Sequence, residues 1–420
     1  INGKFVSSNQ YGDFEHYKIY DDIDIEYSDI LPICRDTSVS SEYREIPATE
    51  VKYFNDLKED PNCNYMIITS FNLGNLESKA KVNTYLGAGN DVYCSKENLY
   101  VAKVKRQYTY TPKITNVIDE AIGVSGTSSN EISTSIHKFS IDKGEVKHVA
   151  TGKVYGALLN QFSMDEYDGN FRITTTTMDE GNNLFVLNKN MKEIGSVTNL
   201  ASGEKIYATR FMGEKAYVVT YKTVDPLFVI DLSNPEKPTV LGELKIPGYS
   251  SYLHPLGENY LIGFGEDSVE KSYLNWKGEQ EVVAYATGLK MAIFDVSDYN
   301  NPKELYFVKI GNRGSYSELL YNHKALLFDE NEGIFAFAAY LTSNGGYYED
   351  GTPMYGDKMF DGALVYNVSV EEGISRRGKI EHDESVERIV RIGDKLYTFS
   401  KEDIKVSDIK EIKELDTLKF

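Results

Sequence analysis

The stretch "PLFVIDLSNPEKPTVLGELKIPG", residues 226–248, runs a strand of β-formers, Leu227–Leu232, straight into Ser-Asn-Pro and then a second proline. The chain says nearly the same again at 290–311, "KMAIFDVSDYNNPKELYFVKIG". Each copy has an apolar run closed by an aspartate (Asp231, Asp295), a serine two residues on (Ser233, Ser297), an Asn-Pro turn and a second apolar run. A repeated phrase of this kind is a unit of architecture and has to be settled before any motif is read.

Working outward, a tight polar turn feeding a strand recurs at "GDFEHYKI" from Gly12, "KENLYVA" from Lys96, "DGNFRIT" from Asp168, "GEKAYVV" from Gly213, "GENYLIG" from Gly257, "NHKALLF" from Asn322 and "GDKLYTF" from Gly393. Short Gly/Asp/Asn turns between apolar runs are the mark of β-hairpins. A third strand follows each, for example "LFVLNKNMK", "LFVIDLSNP" and "MAIFDVSDYNNP". A fourth follows most of them: "VKHVATGKVYG", "EIGSVTNL", "TVLGELKIPG", "KELYFVKIG" and "SRRGKI". The turns at Asp168, Gly213 and Gly257 are spaced by about 45 residues, the period of a four-stranded propeller blade.

The reading is therefore all-β: a single propeller of about seven four-stranded antiparallel blades, with six to eight allowed. The expected blades are 1–85 (with a long excursion at 21–62), 86–156, 157–200, 201–248, 249–312, 313–380 and 381–420. Insertions at 107–131, 266–288 and 341–361 fall between second and third strands, and so belong on one face of the disc. The Asp-Ser-Asn-Pro phrases are turns between third and fourth strands, where Asp and Ser cap their own backbone and proline is tolerated at a sheet edge. Helix is expected only as a turn or two in "TEVKYFNDLKED" (49–60) and "TNVIDEAIG" (115–123).

The chain has 420 residues, a net charge of −19 and a pI near 4.9. That balance argues against nucleic acid, whose phosphates need a basic surface, and against docking on an anionic membrane. No apolar run approaches the roughly 20 residues of a membrane helix. Because the chain begins at Ile1, a processed product is expected, from which any export signal has gone. Cys34, Cys63 and Cys94 show no CxxC or Cys/His spacing, so neither a disulfide framework nor a zinc site is implied. One disulfide with a free thiol and three free thiols both remain open.

Long, ordered phrases carry a family likeness: "NQFSMDEYDGNFRITTTT" (160–177), "RFMGEKAYVVTY" (210–221), "DPLFVIDLSNP" (225–235), "SSYLHPLGENYLIGFG" (250–265), "GNRGSYSELLYNHKALLFD" (311–329) and "GDKLYTFSKEDIKVSD" (393–408). In these the chain resembles bacterial and archaeal secreted proteins with a C-terminal β-propeller domain distantly related to WD repeats. The resemblance implies a propeller and an extracytoplasmic location, and no characterised reaction. The family pattern begins earlier with further blade-like segments, which implies a fragment or a divergent N-terminus here.

Gly-x-Ser-x-Gly, a Walker loop, a dinucleotide fingerprint and His-Glu-x-x-His are all missing. The single tryptophan, Trp276, is not in an Asp box, and the Gly-His and Trp-Asp marks of ordinary WD blades are missing too. His254, in "YLHP" on an inner strand, is a candidate ligand contact, against a bland reading as a histidine satisfied within the blade stack. His323 is read as part of its blade's hairpin turn. Asn160 and Gln161, with Asp165 and Glu166 behind them, can line a channel or bridge blades. Arg210, Arg388 and Arg391 are expected to pair with carboxylates. The acidic turns "DEGNN" (179–183) and "DENEG" (329–333) lack the alternating oxygens of a strong calcium loop. No cofactor is therefore expected, although calcium stays open.

Tyr347, Tyr348 and Tyr355, on the glycine-rich insertion "SNGGYYEDGTPMYGDKMFDG" (343–362), offer amphipathic contact area of the kind binding loops use. "RQYTYTPK" (106–113) is a second such segment. The leading expectation is a non-catalytic, secreted or cell-surface recognition module that binds a protein, peptide or glycan through the inserted-loop face. Ligand contacts are placed at Tyr347, Tyr348, Tyr355, Asn160, Gln161 and His254, with no catalytic or metal residues. A polysaccharide hydrolase or lyase using Asp165 or Glu166 with His254, and a purely structural propeller, are the alternatives.

Overall fold

The computed structural model describes residues 30–54, 64–75, 77–87, 89, 91–112, 126–177, 181–221, 225–274, 277–348 and 352–420, together with the backbone of the short strands Phe5–Ser7 and Lys18–Tyr20. Six four-stranded antiparallel sheets follow one another along the chain, at 91–155, 164–200, 205–246, 249–310, 326–381 and 388–419. In each, the four strands are hydrogen-bonded in chain order, so every sheet is a meander. A three-stranded sheet at 51–86 brings the described sheets of blade size to seven. The fold is the expected all-β propeller.

Contacts divide the chain into two compact units, residues 1–90, 96–99 and 139–149, and residues 91–95, 100–138 and 150–420. The first is held by an aromatic cluster. Phe54 stacks on Tyr85 at 5.4 Å between ring centroids, and Phe139 meets Tyr85 edge-on at 5.2 Å and His148 at 5.4 Å. Its three-stranded sheet departs from the antiparallel expectation, because Val51–Tyr53 runs parallel to Lys81–Leu86. The helical turn expected near residue 49 is the single 3-10 turn Ala48–Glu50, which leads straight into that strand. The segments 21–29, 55–60 and 115–123, the turn from Gly12, residues 178–180, Cys63 and Trp276 lie outside the described residues. Cys34 and Cys94 are free thiols.

The second unit explains the opening phrase. Side chains of a strand alternate between the two faces of its sheet, and in Leu227–Ile230 both faces are covered. Leu227 and Val229 enter a core shared with the 249–310 blade, while Phe228 and Ile230 enter a core shared with the 164–200 blade. The same division recurs at Met291 and Ile293 against Ala292 and Phe294, and at Phe335 and Phe337 against Ile334 and Ala336. A strand buried on both faces reads as a continuous apolar run rather than an alternating one. Asp231 then accepts from Ser233 N at 3.2 Å, Ser233 Oγ at 2.9 Å and Lys215 Nζ at 2.9 Å, closing the turn as expected.

Two details differ from the sequence reading. The hairpin turn of the 326–381 blade is at 330–333, so Asn322 and His323 sit in the connection that precedes its first strand. Over its described residues the 266–288 insertion is a β-ribbon, with Tyr260–Leu274 and Gln280–Asp295 paired out to Leu274 and Gln280. Local pairing of two strands continued further than composition implied.

Blade stacking also uses a device the repeat phrases contain unremarked. Each of the outer strands "VKHVATGKVYG", "EIGSVTNL", "TVLGELKIPG" and "SRRGKI" carries a glycine, and the next blade's third-to-fourth turn presses on it. A Cβ on Gly195 would lie 2.3 Å from the Pro235 carbonyl oxygen, and one on Gly242 would lie 2.6 Å from that of Tyr299. A Cβ on Gly152 would lie 2.9 Å from the Met191 carbonyl oxygen, and one on Gly378 would lie 2.7 Å from the Ile412 side chain. In the 249–310 blade the roles reverse: Tyr306 stands in the outer strand, and the glycine, Gly373, is on the neighbour. Backbone oxygens cannot swing aside as side chains do, so Gly195→Ala and Gly242→Ala are each expected to destabilise the protein by about 1–3 kcal/mol, the range for overpacking a tight contact. Chemical denaturation of both variants checks this; wild-type midpoints would contradict the interlock.

Candidate functional site

Between blades, the chain returns from a fourth strand to the next first strand, and two of these returns carry capped 3-10 turns. Asn160 Oδ1 accepts from Phe162 N at 2.9 Å, and Asn322 Oδ1 accepts from Lys324 N at 3.1 Å. Ser317 Oγ likewise takes Leu319 N at 3.2 Å. These turns meet the N-terminal ends of four first strands, and together they line a cavity of about 920 Å³ within the second unit. That volume is in the range of small-ligand sites.

The lining is aromatic and polar. Phe162 lies edge-on to His323 at 4.9 Å and tilted against Tyr252 at 5.6 Å. Tyr207 and Tyr249 pack at 4.6 Å, and the Tyr249 hydroxyl donates to Glu266. Tyr321 is the open member, 79% exposed. Gln161 donates its amide to His323 Nε2 at 3.2 Å, which requires a ring nitrogen without a proton. Burial, followed by the charges of Lys324 and Arg210, lowers the His323 pKa and favours that neutral ring. Asn160 Nδ2 and Gln161 Oε1 have no protein partner among the described residues, so each is free for a ligand.

Of the six residues expected to contact a ligand, the structure brings Asn160 and Gln161 into this lining and sets His254 next to it. The Tyr252 hydroxyl bonds His254 Nδ1 at 2.9 Å, and the imidazole packs on Phe328 at 4.3 Å. Burial, with Arg210 adding to it, pushes the His254 pKa down to about 4. Asp165 accepts from Arg172 Nε at 2.9 Å, and Glu166 accepts from Ser95 Oγ with Lys138 Nζ at 3.8 Å. Both carboxylates of the catalytic alternative are thus held by cations.

The three tyrosines of the 343–362 insertion stand on the hairpin formed by Gly346–Tyr347 and Pro353–Met354. Tyr347 is clasped: its hydroxyl donates to the Ala286 carbonyl at 3.1 Å, the Arg313 guanidinium covers its ring at 4.1 Å, and Tyr285 packs at 4.3 Å. Tyr348 and Tyr355 are 55% and 69% exposed. In a four-stranded meander the start of the first strand and the second-to-third connection lie at the same end. The hairpin and the cavity therefore open on one face of their blades, as the insertion pattern implied.

Sequence reasoning missed His323, Phe162, Tyr207, Tyr249, Tyr252 and Tyr321 as lining residues. Their common signal was position just before, or at the start of, a first strand. Two of the three arginines pair as expected, Arg388 with Glu318 at 3.6 Å and Arg391 with Glu332 at 3.1 Å and with Asp329. Arg210 does not: it lies 5.3 Å over the Phe162 ring, and among the described residues it has no carboxylate within ion-pair range.

Comparison with known proteins covers nearly the whole chain. Over 281 residues, 66% of its length, the chain is 40% identical to an uncharacterized protein of Methanocaldococcus jannaschii. Over 244 residues, 57% of its length, it is 36% identical to an uncharacterized protein of Archaeoglobus fulgidus. The matches cover 38% and 35% of those two proteins, so the chain spans well under half of the curated relatives it matches. Among solved structures it is similar to BamB from Moraxella catarrhalis, at 11% identity and a TM-score of 0.39 over 76% of this chain and 78% of that one. It is similar to apo AztD from Citrobacter koseri at 13% identity and a TM-score of 0.39, over 80% and 88%. The model of the family described as "Beta propeller domain" matches residues 4–412, and the chain belongs to that family.

Proposed function

We propose that the chain is a non-catalytic, extracytoplasmic glycan-recognition module whose ligand enters the cavity between the inter-blade turns. The observation that carries this is the lining itself: aromatic rings beside Asn160 Nδ2 and Gln161 Oε1, two amide atoms with no protein partner among the described residues. Sugar rings present flat C–H faces and a rim of hydroxyls, so they use both kinds of surface at once. A peptide would more readily use a free sheet edge or an apolar groove. Tyr348 and Tyr355, exposed on the same face, extend the contact beyond the cavity. The extracytoplasmic location rests on the resemblance to secreted propeller proteins.

The catalytic alternative is less well supported. A general base works best with a pKa near the operating pH, and His254 titrates near 4. Asp165 and Glu166 are each already engaged by a cation, Arg172 and Lys138 respectively.

Two expectations follow. Tyr321→Ala is expected to weaken binding to a soluble oligosaccharide about tenfold, the worth of one aromatic stacking contact, with the thermal midpoint of the free protein unchanged. Isothermal titration checks it; unchanged affinity, or a glycan panel in which nothing binds, contradicts the reading. The second expectation concerns pH. His254 has a folded pKa below its unfolded value of about 6.5, so between these values the unfolded chain binds more protons and stability falls as the pH drops. The loss begins near pH 6.5 and is complete near pH 4. A His254→Asn variant should show a smaller loss than wild type between pH 7 and pH 5 in urea unfolding; parallel losses would contradict a buried neutral imidazole.

A further inference from the structure

The charge pattern of the cavity is opposite to that of the chain. Against a net charge of −19 overall, the lining holds Lys205, Lys324 and Arg388 and one acidic residue, Asp91. Lys205 and Lys324 have no ion-pair partner among the described residues.

Arg210 is the sharper anomaly. Among the described residues, every other arginine that is buried or half-buried donates to an oxygen. Arg172 reaches Asp165 and the Gly213 carbonyl, Arg377 reaches Asn367 and two carbonyls, Arg391 reaches Asp329, and Arg313 reaches the Ala286 carbonyl and Tyr347. Arg210 has only the face of Phe162. It lines an adjoining cavity of about 370 Å³ that shares Gln161 and Phe162 with the larger one. A desolvated guanidinium without an acceptor is costly, and here the neighbouring acid, Asp165, is already taken by Arg172. The fork of a guanidinium fits a carboxylate in two parallel hydrogen bonds.

Building on the glycan reading, we propose that the sugar is acidic: a uronic acid residue whose carboxylate is received by Arg210 beside Phe162, with Lys205 and Lys324 attracting the rest of an anionic chain. The amides of Asn160 and Gln161 then serve the hydroxyls. Pairing with Arg210 is the ligand's role, because no carboxylate among the described residues forms an ion pair with it.

The test measures binding by titration calorimetry of a galacturonate oligosaccharide, its fully methyl-esterified form and a neutral galactose oligosaccharide of equal length. The acidic sugar is expected to bind at least tenfold tighter than either neutral one, with affinity falling as salt rises. Arg210→Gln should bring all three to similar affinity, and Lys324→Gln, on an exposed side chain, should weaken the acidic sugar two- to fivefold. If Arg210→Gln does not fold, the methyl-ester comparison in wild type still decides. Equal binding of acidic and neutral sugars, or a preference that survives in folded Arg210→Gln, overturns the acidic assignment and leaves the glycan reading standing. Binding of none of the three overturns both. An acidic peptide that binds as tightly as the uronate also overturns the assignment, by placing the specificity in the charge alone.

Discussion

The two-sided burial of each blade's central strands is the constraint on which the rest of the second unit depends. Once Leu227 and Val229 face one neighbouring blade and Phe228 and Ile230 face the other, no blade can pack its core alone. Successive sheets must stack, and the distance between them is set by what their outer strands allow. The glycines at 152, 195 and 242 let the backbone of the next blade's turn come within contact of the strand. The return segments at 159–163 and 317–325 therefore arrive at fixed places. The cavity is a consequence of that stacking.

Much of this was legible in the sequence, for a reason that can be given residue by residue. A strand covered on both faces must be apolar throughout, so "LFVID" and "AIFDV" announce it directly. The Asp231 and Ser233 turn is equally local, since each group bonds a neighbour two residues away. The notched glycines were in plain view in four fourth strands, but their meaning depends on a turn that belongs to the next blade along the chain. The hairpin of the 326–381 blade was misplaced because "NHKA" and "DENEG" are both good turn sequences, and only the strand register separates them.

The site was less legible. Asn160 and Gln161 were identified as polar residues on the inner part of a blade, where side chains can line a channel, although they stand in the turn just before the strand. Phe162, Tyr252 and His323 come from three different returns and first strands, and no spacing along the chain brings them together. Tyr347 shows the opposite problem. A tyrosine on a glycine-rich insertion invites a binding role, yet the Arg313 guanidinium and the Ala286 carbonyl hold this one against the neighbouring 249–310 blade. Arg210 defeats sequence reasoning most fully, because in an acidic protein an arginine is expected to find a carboxylate, and its lack of one can be seen only in three dimensions.

These observations converge on one face of the second unit, where the return segments, the first-strand ends and the inserted hairpin meet. Hydrogen exchange of the backbone amides, with and without a saturating galacturonate oligosaccharide, tests that convergence most directly. The account predicts added protection concentrated in 159–163, 205–212, 249–254 and 317–325. Protection confined to the 343–357 hairpin, or to the opposite ends of the blades, would contradict it.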